Sequence, residues 1–341
     1  MQHIECEGMM YIGDPHISNH RIGRRIDHWY NTIMGKMEFL IQECNQRDLC
    51  PVILGDLFHK WFESQSKDQL VSTPAMLSDV IQLLGSSHNP TFVLAGNHDV
   101  RDNVFSKDSM LAIIDASKSA VVMKESKAYA VIQTPHSSIL LGGTPYGAEM
   151  PLSVLDEKNR YACDRAVWLI HRNIQGMGTR DGVIPYSIDG VDLVMAGHIH
   201  RTQSYKKVGD TTWVVPGNIS RISIDQKDYE PRVYIDNGKK VLRMLLLPVE
   251  PIEKVMDIYT PENIVENAQS MKMAKSLEEL FREFDALATP TSTHQTQDLS
   301  IIKEELHKIQ RKGGMHPDAL DIVHRIVESV ANNGEKEVSI W

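Results

Sequence analysis

Through the first two thirds of the chain, short apolar runs alternate with stretches where apolar residues recur every three or four positions. That alternation predicts strands interleaved with helices, the mark of a layered α/β arrangement. The predicted strands are 9–13, 51–55, 91–95, 128–133, 139–142, 167–170, 191–196 and 212–215. Between the first two, Ile22, Ile26, Trp29, Ile33, Met37, Leu40, Ile41 and Cys44 keep helical spacing, which predicts one amphipathic helix over 21–47. Leu70, Leu77, Val80, Ile81 and Leu84 do the same over 68–84, and the Gly-Ser-Ser-His-Asn-Pro stretch that follows breaks the helix.

After Leu247-Pro248 the pattern turns helical without strands, carried by Ile264, Val265, Met271, Leu277, Leu280, Phe281, Phe284 and Leu287. The polar run from Thr289 to Gln297 reads as a linker. Two helices are expected beyond it, 298–312 and 317–333, with Gly313-Gly314 ending the first and Pro317 opening the second. A chain of 341 residues exceeds the ~250–300 that one core supports, so a large domain with an appendage is expected. The organisation read from the pattern is a domain over 1–247, a cap-like helical segment over 248–289, a linker over 290–297 and C-terminal helices over 298–341.

Hydrophobic residues at 42% and charged residues at 24% exclude a disordered, collagenous or disulfide-stapled chain. No run of 18 apolar residues exists, and the start, Met1-Gln2-His3-Ile4-Glu5, has neither a basic nor an apolar leader region. A soluble cytoplasmic protein with no membrane contact is expected. Four cysteines without a C-x-x-C pair are read as reduced thiols. Net charge is -9, and residues 251–341 hold 10 Lys+Arg against 16 Asp+Glu. That balance argues mildly against gripping duplex DNA unaided, because phosphate neutralisation supplies most of such affinity.

The chemistry concentrates after the strands. Six of the 15 histidines stand there, in Asp14-Pro15-His16, Gly55-Asp56-Leu57-Phe58-His59, Gly96-Asn97-His98-Asp99, His171-Arg172-Asn173 and Gly197-His198-Ile199-His200. Carboxyl ends of strands in an open α/β sheet share one edge, so these five segments can converge. Imidazole, carboxylate and amide oxygen without thiolate is a donor set for Mn²⁺, Fe²⁺ or catalytic Zn²⁺. Asp-x-His and His-x-His place alternate side chains on one side of an extended segment, and one carboxylate can bridge two ions. Two ions ~3.5–4 Å apart would clamp a phosphoryl group and lower the pKa of a bridging water. Glycines before Asp56, Asn97 and His198 allow tight turns and close approach.

These five segments resemble the motifs of the calcineurin-like metallophosphoesterases: Asp-x-His, Gly-Asp, Gly-Asn-His-[Asp/Glu], His and Gly-His-x-His. The resemblance runs from residue 9 to about 225. Within it, Gly-Asp-Leu-Phe-His at 55–59, Ile170-His171-Arg172-Asn173, Gly197-His198-Ile199-His200 and Pro216-Gly217-Asn218-Ile219-Ser220-Arg221 are most similar to the SbcD/Mre nucleases, partners of SbcC/Rad ATPases. The family implies a four-layer α/β sandwich, two packed mixed sheets flanked by helices, here with a helical C-terminal extension. It implies Asp14, His16, Asp56 and His200 on one metal and Asp56, Asn97, His171 and His198 on the other, two divalent ions with Mn²⁺ as the expected metal. His98 would contact phosphate and assist the leaving oxygen, Asp99 would orient His98, and His59 would stand near the substrate strand. Arg201 and Arg221 are the candidate substrate contacts among the basic residues near the motifs.

The resemblance therefore implies an Mn²⁺-dependent DNA exonuclease and endonuclease subunit of recombination or repair. Its expected partners are DNA, an SbcC/Rad-type ATPase docked on 298–341, and a second copy of the chain. The alternative is a stand-alone phosphodiesterase or phosphatase acting on small nucleotides or phosphoesters. Two departures stand out: Ile17-Ser18-Asn19-His20 follows Asp-x-His where such nucleases carry a glycine, and the region after Leu247 is short for a full capping domain.

Overall fold

The structure, a computed structural model, describes residues 1–63, 69–239 and 241–257. In chain order the strands are β1 (Gln2–Glu5), β2 (Gly8–Ile12), β3 (Leu49–Ile53), β4 (Phe92–Leu94), β5 (Val121–Met123), β6 (Lys127–Gln133) and β7 (Ser138–Thr144). They continue with β8 (Arg165–His171), β9 (Leu193–Gly197), β10 (Lys206–Val208), β11 (Thr211–Val214), β12 (Arg232–Asp236) and β13 (Arg243–Leu246). The helices are α1 (Trp29–Gln46), α2 (Thr73–Gly85), α3 (Met110–Ser117), α4 (Leu155–Arg160) and α5 (Ile252–Val255).

Two mixed sheets form. One runs β13-β12-β2-β3-β4-β5, the other β1-β6-β7-β8-β9-β11-β10. In the first, β2, β3, β4 and β5 are parallel while β12 joins antiparallel. In the second, β7, β8, β9 and β11 are parallel. The period of two along each strand separates three apolar layers. Met9, Tyr11, Val52 and Leu94 of the six-stranded sheet face Ile132, Leu141, Leu169 and Met195 of the seven-stranded sheet. Met10, Ile12, Ile53 and Val93 point the other way, onto Ile33, Met37, Met76, Val80 and Leu111 of α1, α2 and α3. Trp168, Ile170, Val194 and Trp213 fill the outer face of the seven-stranded sheet. That face is covered mostly by loops carrying Val154, Ile174, Met177 and Ile188, with α4 as its only described helix.

The fold is the expected α/β sandwich of two packed mixed sheets, with differences at element ends. Helix α1 begins at Trp29, not at 21, because Gly23 takes φ +51° where the chain crosses the Ile222 carbonyl. Ile26 is accordingly 46% exposed. Helix α2 begins at Thr73, where the Ser72 side chain accepts from Ala75 N and Pro74 occupies the first turn. The helices expected over 298–312 and 317–333 lie outside the described residues, as do the linker and most of the 248–289 segment. Residues 248–257 stay with the body: Ile26 N donates to Val255 O at 3.0 Å and Asp257 N to Arg24 O at 2.9 Å. All four cysteines are free and buried. Among the described residues no helix is long and apolar enough to cross a membrane.

Candidate metal centre

Five strand ends meet on one edge of the sandwich. β2, β3 and β4 of the six-stranded sheet deliver Asp14 with His16, Asp56 and Asn97, and β8 and β9 of the other sheet deliver His171 and His198 with His200. Sequence reasoning placed them on the edge of one open sheet; the site straddles two. Asp14, His16 and His200 form one group, and Asp56, His171 and His198 another, the offered ligand atoms in each lying within 4.8 Å of one another. His16 Nε2 lies 3.0 Å from His200 Nε2, and His200 Nε2 3.8 Å from Asp14 Oδ2. Asn97 Oδ1 completes the second group, 3.0 Å from His171 Nε2 and 2.8 Å from His198 Nδ1. Asp56 Oδ2 stands between the groups, 3.7 Å from His16 Nε2 and 3.2 Å from His171 Nε2.

Three observations show that these residues fit a pair of divalent cations. First, Asp14 Oδ1 and Asp56 Oδ2 are buried and have no hydrogen-bond partner, a costly state for a carboxylate oxygen unless a cation satisfies it. Second, the charges are unbalanced. Burial opposes ionisation of Asp56, but His171, His16 and His98 hold its carboxyl well below the usual carboxylate range. Burial likewise opposes the His171 cation, yet Asp56 and Asp14 pull it up to about 9. Burial keeps His16 well below the ordinary imidazole value, and burial with the His171 charge pushes His198 down to about 4, so both present the neutral ring that binds metal. Burial pushes Asp14 up against the pull of His171 and His200. Two buried carboxylates thus draw a proton onto His171, a positive charge that a bound cation would replace.

Third, the backbone is strained where the donors are presented. His16, Asp56 and His198 have φ of 50°, 46° and 78°, left-handed values that cost a non-glycine residue of order 1–3 kcal/mol each. Close approach of the strand ends also fixes two glycines. A Cβ at Gly55, whose φ is +120°, would collide with the His171 ring, and one at Gly96 with the Asp56 carboxylate.

Around the donors, the other expected residues fall into two sets. His59 and His98 lie beside the first group, their rings stacked at 5.3 Å and 19°, and each ring packs edge-on against His16. With His16 they form a third group of possible ligand atoms. One nitrogen is already committed, since His98 Nδ1 lies 2.6 Å from His59 O and so carries the hydrogen, leaving Nε2 uncommitted. Burial and the His98 charge push His59 down to about 4. Asp99 departs from expectation. The group facing His98 Nδ1 is the His59 carbonyl, while the fully buried Asp99 carboxylate accepts from Leu57 N at 3.3 Å, Phe58 N at 3.1 Å and Gly96 N at 3.0 Å. It staples the β3 loop to the β4 loop. Burial and the Asp56 charge push it up to about 7, against the pull of those N–H groups.

Arg201 and Arg221 are not gathered into either donor group. Arg201 is exposed and donates to Asp225 O; the Arg221 guanidinium is spent on Tyr229 O and Glu250 O. The unusual Ile17-Ser18-Asn19-His20 loop is held without a glycine: Ser18 Oγ and Asn19 N donate to the two oxygens of buried Glu63, at 2.6 and 3.0 Å. Trp29, expected in the core, also donates Nε1 to His16 O at 3.1 Å. Tyr146, unnamed by sequence reasoning, sets its ring 6.0 Å from that of His198. Its position after β7, behind Gly142-Gly143-Thr144-Pro145, was the available signal: another strand end bearing an aromatic.

No curated protein sequence matches the chain. A crystal structure of a hypothetical protein from Thermus thermophilus is similar at 11% identity, over 70% of this chain and 99% of that one, with a TM-score of 0.40. The family model of the calcineurin-like phosphoesterases matches residues 9–202, which span all the metal-group residues, and the chain belongs to that family.

Proposed function

We propose that this chain is a metal-dependent DNA nuclease of SbcD/Mre type, hydrolysing phosphodiester bonds at the centre described above. Asp14, His16, Asp56 and His200 would hold one divalent ion and Asp56, Asn97, His171 and His198 the other, with Mn²⁺ suited to this donor set. When bound, such ions supply positive charge to a phosphoryl group and make water a better nucleophile at neutral pH. The chain's own contribution lies beside them. His98, anchored through its Nδ1–H on the His59 carbonyl, leaves Nε2 to face the substrate, and as the imidazolium it would give the Nε2 proton to the departing oxygen. His59 steadies it by stacking and stands where a substrate strand would pass.

The observation that carries this reading is the stacked His59–His98 pair, two imidazoles beside donor sets that are complete without them. Arg201, exposed and next to His200, is retained as a strand contact; Arg221 is not, because its guanidinium serves carbonyls. An SbcC/Rad-type ATPase held by 298–341 belongs to the same proposal, and a chain ending at 297 that still bound the ATPase with full affinity would remove it.

The test is cleavage of 3'- and 5'-labelled duplex and single-stranded DNA beside bis-p-nitrophenyl phosphate, with Mn²⁺ and with Asp56→Ala as control. DNA degradation is expected, lost in Asp56→Ala together with at least one of about two bound ions by elemental analysis. Cleavage of the small diester with DNA left intact, with or without the ATPase, would favour the stand-alone phosphodiesterase.

A further inference from the structure

A cavity of about 380 Å³ opens outside the metal groups, none of whose residues lines it. Three segments far apart in the chain bring cations to its wall: Arg25 from the loop before α1, Lys36 from α1 itself, and Arg221 from the loop after β11. Lys254 of α5 adds a fourth, and Asp27 and Glu250 are the acidic residues of the wall.

These charges do not cancel. Asp27 is taken by buried Arg25, whose Nε donates to Oδ1 at 2.7 Å, and by Thr32 Oγ1, which donates to Oδ2 at 2.6 Å. Glu250 stands 3.7 Å from Lys254 Nζ at the exposed rim. Lys36 and Arg221 are left over, and among the described residues neither pairs with a carboxylate. Lys36 Nζ donates to Ile219 O at 3.0 Å, which leaves further hydrogens of the ammonium uncommitted. The Arg221 guanidinium donates to Tyr229 O and Glu250 O. Carbonyls fix both side chains in place and leave their positive charges standing. Burial and the charges of Arg25 and Arg221 push Lys36 down to about 8, so the ammonium weakens the empty fold.

We propose that this cavity is an anion site, in which Lys36 and Arg221 hold a doubly charged oxyanion, a phosphate or phosphomonoester group, between α1 and the loop after β11. Two cations without carboxylate partners match that charge. The remaining guanidinium hydrogens suit phosphoryl oxygens, and the ammonium supplies a point charge beside them. Arg25, locked to Asp27, keeps the carboxylate turned away from the bound anion. The volume sits at the low end of the ~300–1,000 Å³ found for small-ligand pockets, room for an esterified phosphate as well as the free ion. The site stands whether or not the metal centre cleaves DNA, since the two share no residue.

The test is titration calorimetry of inorganic phosphate into the full chain at pH 7 and low ionic strength, with EDTA keeping metals out. Wild type should bind with a dissociation constant of about 1 mM or tighter, a range that two charge-assisted contacts reach. Lys36→Met should weaken binding about tenfold or more, while Lys36→Arg keeps it, with melting temperatures confirming that both fold. Phosphate should also raise the melting temperature of wild type more than that of Lys36→Met, the general effect of the salt being common to both. No binding by wild type below about 10 mM overturns the site, and so does equal affinity in wild type and folded Lys36→Met, which would put the phosphate elsewhere. A parallel titration with dAMP separates the two sources of the anion. Tighter binding than inorganic phosphate, lost in Lys36→Met, assigns the site to phosphomonoesters; weaker binding assigns it to the free ion.

Discussion

Replacing Asp99 separates two roles with opposite signatures. As an orienter of His98 it would change turnover and leave stability alone; as the staple seen here it holds Leu57 and Phe58, directly after Asp56, to Gly96, directly before Asn97. In Asp99→Asn, whichever way the amide turns, its NH₂ meets a backbone N–H, so at least one bond is lost and a donor is buried unpaired, about 1–3 kcal/mol. Asp99→Ala strands all three donors, about 3–9 kcal/mol on the same scale. At roughly 2–4 °C per kcal/mol for a body of this size, Asn should lower the melting temperature by about 5 °C and Ala by about 10–20 °C.

The pH dependence adds a second check. Asp99 titrates at about 7 in the folded chain against an ordinary 3.8, so the folded state binds its proton more tightly between those values. Its contribution is full below 3.8 and is lost as pH rises through 7. The Asn penalty in EDTA should therefore be largest near pH 4–5 and shrink towards pH 8. Calorimetric melts at both pH values, with metal content of the same samples, make the comparison. A variant with unchanged melting temperature and full metal content but depressed kcat would refute the staple and restore the orienting role.

Two further outcomes follow from buried charges away from the centre. Arg165 on β8 and Asp236 on β12 pair across the two sheets at 3.1 Å, with Gly238 N also donating to Asp236; Asp236→Ala should cost about 3–5 kcal/mol by stranding the buried cation, and a denaturation midpoint within error of wild type would contradict that. Lys36 is pushed down to about 8 by burial and by Arg25 and Arg221. Between 8 and 10.5 the unfolded chain holds the proton and the folded chain does not, so wild-type stability rises with pH there. Lys36→Met should then stabilise the protein at pH 7 by about 1–2 kcal/mol, roughly 3 from the relieved burial less the lost bond to Ile219 O, and the gain should vanish by about pH 10.5. A variant less stable than wild type at pH 7 would show that the bond outweighs the burial.

The strands that carry the site were legible because each is a short, fully apolar run ended by a residue that cannot continue it. β12 and β13 were not, since Arg232-Val233-Tyr234-Ile235-Asp236 and Arg243-Met244-Leu245-Leu246 are short, mixed segments whose identity depends on tertiary pairing, β12 with β2 and β13, at the sheet edge, with β12. The start of α1 failed for a related reason: Ile22 is buried and keeps helical spacing with Ile26, but it reaches the core through a loop turned by Gly23. Periodicity reports which side chains are apolar, not which backbone brings them inward.

At the metal centre, residue identity was enough to gather the donors, because Asp, Asn and His at strand ends have few partners other than each other once the ends converge. What spacing did not carry was which neighbour a side chain turns to. Asp99 follows His98 in sequence, yet a carboxylate beside three free N–H groups from two loops gains three bonds there against one from an imidazole. The same logic explains why His98 Nδ1 turns to the His59 carbonyl. A chain that must keep one oxygen of each of two buried carboxylates apart from protein donors, ready for cations, has to satisfy the loops around them by other means. Asp99 and Glu63 do that for the loops after β2, β3 and β4, and this lets Asp14 Oδ1 and Asp56 Oδ2 stay without partners.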